Sequence, residues 1–508
     1  MGVVVKQSIK GTIMNYIGVA VGFVTTFFVM TKYLTPEEVG LTRVLADAAI
    51  LLSGLAQMGT STSAIRYYPF FKDAKNRDHG FFGWTLIVPL IGFVVFTALF
   101  FVFKPALVAY FSKNSALFVD YMYFVIPMAF FMLYLIVFET NSNLLMRIVF
   151  PRFVREVGIR VFTLIDYILY IAGIINLDGM VIGLCVTYFL ATLLNIIYLL
   201  TLKKISFKVE PEYVDDKLRR DFLKYTLFMV ISSVVTTIIP VLNSFMVTAK
   251  LGLFFTGIYK IATDMAALVE MPYRALGSIS KPAISQAMKD NDVPVVQELT
   301  KSVALHQLMA GLFVFLIIWI NIDLFYDVLP NGDIYCAGKW VFLVLVMAKL
   351  VNTSLNIGVT VLSYSKYYYI QLIFTAILTT LAIVFNNVLI PRFEMVGSAM
   401  ASLLSFVIYY ALLLSAIAWK SKVHPFSWNM LKLVLIMVSL FAINWLSMRY
   451  ISTPLMTLLG DGLIVKFIEA AVRTLILCGL GLTAIYQMKI SKQVNDLINS
   501  VLHIRHQL

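Results

Sequence analysis

An all-α integral membrane protein is the fold class this sequence predicts, and three observations lead there. Of 508 residues, 60% are hydrophobic and only 13% are charged, about half the charge of a soluble domain. Mean hydropathy is +0.89, far above the soluble range. The apolar residues also fall into runs of about 20, the length a helix needs to cross lipid, where backbone groups find partners only within the helix. A soluble enzyme is excluded. So is a disulfide-stapled secreted chain, because Cys185, Cys336 and Cys478 lie far apart and without metal-ligand spacing.

About fourteen spans are expected. The first seven lie near 11–31, 41–64, 82–103, 117–139, 155–176, 179–202 and 223–247. The second seven lie near 252–273, 303–325, 338–362, 367–389, 394–419, 430–450 and 465–487. Spans two and eight carry charges, which weakens their hydropathy signal. The first run is long enough to span and lacks a small-residue cleavage site, so no cleavable signal peptide is expected. Between spans, 203–222 and 274–302 are the sizeable polar pieces, each expected to hold a short amphipathic helix. Asp292 followed by Pro294 is a helix start. In the tail from Met488, Ile490, Val494, Leu497, Ile498, Val501 and Leu502 share one face. That face suits a helix lying on the inner membrane surface, or a partner-binding helix.

Orientation follows from counting Lys and Arg in alternate loops. One side collects 24, among them Lys6, Lys10, Arg66, Arg147, Lys203, Lys281, Lys420 and Lys489; the other collects 8, such as Lys32, Lys113 and Arg449. Both termini are therefore expected in the cytoplasm. The same asymmetry accounts for most of the +13 net charge, and no nucleic-acid partner is expected.

Shifting the chain against itself by 217 residues aligns spans one and two with seven and eight, without gaps. Matched pairs include Val24/Val241, Phe28/Phe245, Thr31/Thr248, Gly40/Gly257 and Asp47/Asp264, while Arg43 against Lys260 keeps the charge. An intramembrane Asp on Asp, each with a cation four residues earlier, is hard to obtain from apolar composition alone. Both copies start on the same side, so the repeat is parallel and its axis runs along the membrane normal. The expected organisation is an N-terminal lobe 1–202, a linker 203–222, a C-terminal lobe 223–419, two added spans 420–487 and an amphipathic tail 488–508.

The residues also carry a family resemblance. Leu34-Thr35-Pro36-Glu37-Glu38-Val39-Gly40 follows span one, Arg66-Tyr67-Tyr68 ends span two, and Ile390-Pro391-Arg392-Phe393-Glu394-Met395-Val396-Gly397-Ser398-Ala399 comes later. Together with the two-lobe repeat, the chain resembles polysaccharide/oligosaccharide flippases of the multidrug/oligosaccharidyl-lipid/polysaccharide exporter superfamily. Phe393-Glu394 stands where that family has Tyr-Gly or Phe-Gly, and Ser398 where Gly is common. The resemblance implies a bacterial cytoplasmic (inner) membrane, and a monomer is expected there. It implies alternating-access export of an undecaprenyl-diphosphate-linked oligosaccharide: an O-antigen, capsule or exopolysaccharide repeat unit. The lipid bilayer, the lipid-linked oligosaccharide and polysaccharide-assembly proteins are the implied partners.

A charge near mid-bilayer is costly, so each one is a candidate for function. Arg43 and Asp47 share a helix face, as do Lys260 and Asp264. The plainer reading is self-neutralisation within each helix. The sharper one is a crosswise outer gate, in which Arg43 meets Asp264 and Lys260 meets Asp47. Lys349, Asn352 and Asn356 form a polar stripe on span ten, suited to a diphosphate or sugar carboxylate; alternatively, Lys349 partners a neighbouring acid. Arg66, Arg155, Arg274 and Lys281 gather near the inner mouth, where a diphosphate would load, although topology alone also places cations there. Glu139, Asp166, Asp264 and Glu270 are the coupling candidates, with proton, sodium and membrane potential all open. His306 is expected to pack helices rather than relay protons. No cofactor, nucleotide or metal motif appears. Two other readings stay on the page: a drug or organic-cation exporter of the same superfamily, and a multi-span polysaccharide polymerase, ligase or acyltransferase. The second lacks a sizeable outer loop to hold a reaction centre.

Overall fold

The structure, a computed structural model, describes residues 3–73, 77–202, 216–290, 292–365, 367, 369–452 and 462–505. The helices are α1 (Val3–Val24), α2 (Pro36–Ala56), α3 (Thr60–Phe71), α4 (Phe81–Phe111), α5 (Val125–Leu144), α6 (Ile159–Ile171), α7 (Leu177–Thr201) and α8 (Asp216–Leu251). They continue with α9 (Leu253–Ala267), α10 (Met271–Lys289), α11 (Val293–Ile320), α12 (Lys339–Tyr364), α13 (Tyr369–Ser421), α14 (Trp428–Ser447), α15 (Leu463–Gln487) and α16 (Lys492–Arg505). Among the described residues, nine helical stretches are long and apolar enough to cross a membrane. They cover expected spans one to four, six and nine to thirteen, with eleven and twelve joined in α13. The stretch through α4 is strongly apolar yet mostly unburied, as a lipid-facing helix is. The chain is a multi-pass membrane protein.

Local sequence sets the helix ends. Thr35 and Glu38 form a capping box: Glu38 N–H donates to Thr35 Oγ1 at 3.3 Å, and Thr35 N–H donates to Glu38 Oε2 at 2.8 Å. Pro36, whose missing N–H costs nothing in the first turn, then starts α2. The repeat-equivalent residue Leu253 starts α9, after Gly252 at φ +99°. Expected span two is a broken helix, since Met58 and Gly59 adopt φ of +48° and +68° between α2 and α3. The Asp292 start forms as expected, with Asp292 Oδ1 accepting from Val295 N–H at 3.1 Å. The helix it opens is not short, however, but runs on as α11 to Ile320, because the apolar period continues without a breaker. Of the polar piece 203–222, residues 203–215 lie outside the described residues, and from Asp216 the chain is part of α8.

Two compact units result: residues 1–261 with 390–395, and residues 262–389 with 396–508. In the first, Leu41, Val44, Leu45 and Ala49 of α2 pack with Met128 and Ala129 of α5 and Val181 and Leu184 of α7. In the second, Phe315 of α11 meets Phe342 of α12 at 6.4 Å and Phe441 of α14 at 5.1 Å between ring centroids. Arg473 of α15 donates to the Ile320 carbonyl at 2.9 Å, satisfying the open C-terminal end of α11. The tail forms α16, capped by Ser491, whose Oγ also lies 2.8 Å from His306 Nε2. His306 therefore ties α11 to the start of α16.

The motif at 390–399 is where this chain departs from the pattern of the family it resembles. Within α13, Glu394 sits at φ +50°, ψ −130°, a conformation that glycine adopts freely and L side chains resist. Two helical segments meet at a kink there, without the glycine.

Candidate functional site

The first unit brings the two repeat copies face to face. A Cβ on Gly40 would overlap the Leu253 carbonyl oxygen, and a Cβ on Gly257 would overlap the Pro36 carbonyl oxygen. These clashes are reciprocal, since Gly40 pairs with Gly257 and Pro36 with Leu253 in the repeat. Only glycine lets the two backbones approach this closely. One to two turns further on, Lys260 Nζ lies 3.0 Å from Asp47 Oδ2 and 3.3 Å from Oδ1. Both side chains are nearly out of water, at 14% and 11% exposure. Asp47 is thus held by the other copy's lysine. Arg43, four residues before it, donates to Thr26 Oγ1 at 2.9 Å, within a stretch of π-helix at Thr25–Met30. Asp264 lies half-buried one turn beyond Lys260 on α9.

The cations near the expected inner mouth divide by partner. Arg155, in a second π stretch at Val154–Gly158, reaches Glu139 at 3.0 Å and Glu156 at 3.4 Å. Arg160 completes the cluster, 3.8 Å from Glu156. Arg66 is exposed on α3 and has no carboxylate partner among the described residues. Its guanidinium stacks instead on Tyr225 of α8, 4.2 Å from the ring centroid, with Tyr67 at 5.7 Å. Lys281 is exposed on α10. The Arg274 side chain lies outside the described residues.

In the second unit, Lys349 of α12 is paired with Glu270 at 3.0 Å, each about one-fifth exposed. Beside it runs a hydrogen-bonded chain. Tyr273 O–H donates to Asn356 Oδ1 at 2.7 Å, and Tyr410 O–H donates to Asn352 Oδ1 at 2.8 Å. Asn356 Nδ2 reaches Tyr410 Oη at 3.3 Å. The polar stripe read from sequence is therefore tied to α10 and α13, through Tyr273 and Tyr410, which sequence reasoning missed. Aromatics in a chain this rich in them carry no signal of their own.

Asp166 on α6 is buried at 5% exposure, and its Oδ2 has no hydrogen-bond partner among the described residues. Gly183 of α7 makes room for it, since a Cβ there would overlap Oδ1. Among the described residues, no group of three or more His, Cys, Asp or Glu side chains forms a metal site.

The sequence matches the family described as Polysaccharide biosynthesis protein over residues 4–288. No curated protein matches it. Among solved structures, the chain is similar to the lipid II flippase MurJ in an inward closed conformation, with a TM-score of 0.68 at 14% identity, covering 96% of this chain and 100% of that one. It is also similar to an inward-facing multidrug resistance MATE family transporter of the MOP superfamily, with a TM-score of 0.58 at 15% identity over 80% of this chain and 99% of that one. A MOP superfamily transporter from Pyrococcus furiosus gives 0.51 at 15% identity, over 82% and 96%. At such identities the likeness is one of fold.

Proposed function

This chain belongs to the polysaccharide biosynthesis protein family, and we propose that it acts there as a flippase. Its cargo on this reading is an undecaprenyl-diphosphate-linked oligosaccharide, carried from the cytoplasmic to the outer leaflet of a bacterial inner membrane by alternating access. About fourteen spans with both termini inside complete the proposal. The observation that carries it is Arg66. Arg155 and Lys349 already have carboxylate partners, whereas Arg66 presents an exposed guanidinium without one among the described residues. A planar fork of N–H donors held in this way suits a diphosphate. Lys281 is exposed and offers a second cation. The family and the likeness to a flippase fold support the same reading.

For coupling, we assign the leading role to Asp166. Glu139 and Glu270 are engaged in ion pairs, while Asp166 keeps a buried oxygen unpartnered among the described residues. The MATE-like fold favours a second reading, an organic-cation antiporter. Against it stands Asp47, whose charge is neutralised by Lys260 and does not offer a cation site.

Proteoliposomes separate the two readings. The flippase reading expects transfer of an undecaprenyl-diphosphate-linked sugar to the opposite leaflet, slowed in Arg66→Gln, and no accumulation of ethidium. Ethidium transport without lipid-sugar transfer would establish the antiporter instead.

A further inference from the structure

We infer that Tyr225 is a positioning residue that holds the Arg66 guanidinium ready for a diphosphate. This rests on the reading of Arg66 as a diphosphate contact. Tyr225 and Arg66 belong to different helices, α8 and α3, and their contact is face to cation at 4.2 Å. Stacking of this kind uses the face of the guanidinium and leaves the N–H groups in its plane free for oxygen acceptors.

The ring itself is held in place. Tyr67, only 4% exposed, packs edge-on against Tyr225 at 5.8 Å and against Phe222 at 5.3 Å. Phe222, Tyr225 and Met229 recur at helical spacing on one face of α8. Met229 comes so close to Gly59 that a Cβ at 59 would overlap its own. The break at Met58–Gly59 therefore lets α8 lie against α3, and this approach brings Tyr225 beneath Arg66. An unrestrained arginine surrenders rotamer freedom on meeting phosphate, whereas a stacked one has already done so. Among the described residues the tyrosine hydroxyl has no hydrogen-bond partner, so the device is the ring.

The experiment uses the full chain in nanodiscs and undecaprenyl diphosphate as the probe, with inorganic pyrophosphate as a competitor. Tyr225→Leu is expected to weaken binding by about two- to thirtyfold, the range a cation–π contact spans. Tyr225→Phe keeps the ring and stays within about twofold of the parent, which also controls for folding. In an Arg66→Gln background, Tyr225→Leu adds no further loss, because the group it positions is gone. Pyrophosphate competition that weakens in parallel identifies free diphosphate as sufficient; a response in the lipid probe alone identifies the lipid headgroup as the source. Either result supports the clamp. It is overturned on its own if Arg66→Gln weakens binding while Tyr225→Leu does not, or if Tyr225→Leu costs as much with Arg66 absent as with it present. Normal binding by Arg66→Gln overturns the reading of Arg66 and the clamp together.

Discussion

Removing either partner of the Asp47–Lys260 pair leaves one charge buried between the two repeat copies. At 3.0 Å and an effective dielectric near 20, the attraction is about 5 kcal/mol, offset in part by desolvation of both groups. What a single substitution loses is different: the surviving charge stays at 11–14% exposure without its counter-ion, at a cost of about 3–5 kcal/mol. Asp47→Asn and Lys260→Met are each expected to lower unfolding stability in detergent by that amount. Combined, they should cost clearly less than their sum, and the exchange Asp47→Lys with Lys260→Asp should recover most of the parent's stability. As a proposed gate, the pair should also control access, so either single change should expose outer cavity positions to impermeant thiol reagents and slow lipid-sugar transfer. Additive single losses, with no coupling between the two sites, would refute the pairing. Recovery from exchanging Arg43 with Asp47 would show instead that neutralisation runs within one helix.

Gly40→Ala and Gly257→Ala each drive a methyl into a backbone carbonyl, which cannot rotate aside. Each should cost about 1–3 kcal/mol or more in a thermal melt, while Gly479→Ala, inside α15 with nothing within 4 Å, should gain about 0.5–1 kcal/mol. Glu394→Gly relieves a backbone conformation worth about 1–3 kcal/mol of strain, partly offset by the glycine's unfolded-state entropy. A net gain of about 1 kcal/mol is expected, read as a higher Tm. Asp166→Asn should leave undecaprenyl diphosphate binding intact while abolishing the response of transport to an imposed pH or sodium gradient; an unchanged response would remove Asp166 from coupling.

Much of the fold was legible because the bilayer imposes a simple rule: apolar runs of span length must be helices. Two local features of the aligned segments were legible too: Pro36 and Leu253 both start helices, and Gly40 and Gly257 both mark close approach. What hydropathy could not show is where a helix breaks inside one apolar run. Met58 and Gly59 interrupt expected span two because two successive residues adopt positive φ, which no apolar count registers. The division expected between spans eleven and twelve is present as a kink at Glu394, where two helical segments meet within α13.

The site was harder, and for one physical reason. Sequence lists cations without their partners, and in a low-dielectric interior the partner decides what a cation can do. Lys349 and Glu270 are 79 positions apart, and no spacing rule links them, yet their pairing turns a candidate phosphate ligand into a strut between α12 and the turn that leads into α10. Arg155 is engaged in the same way by Glu139, across a π stretch that sequence did not announce. Arg66 differs because its neighbour is aromatic, and an aromatic ring orients a cation without neutralising it. A cation that must meet a migrating anion has to be fixed in space and unspent in charge. Stacking meets both conditions, while an ion pair meets only the first.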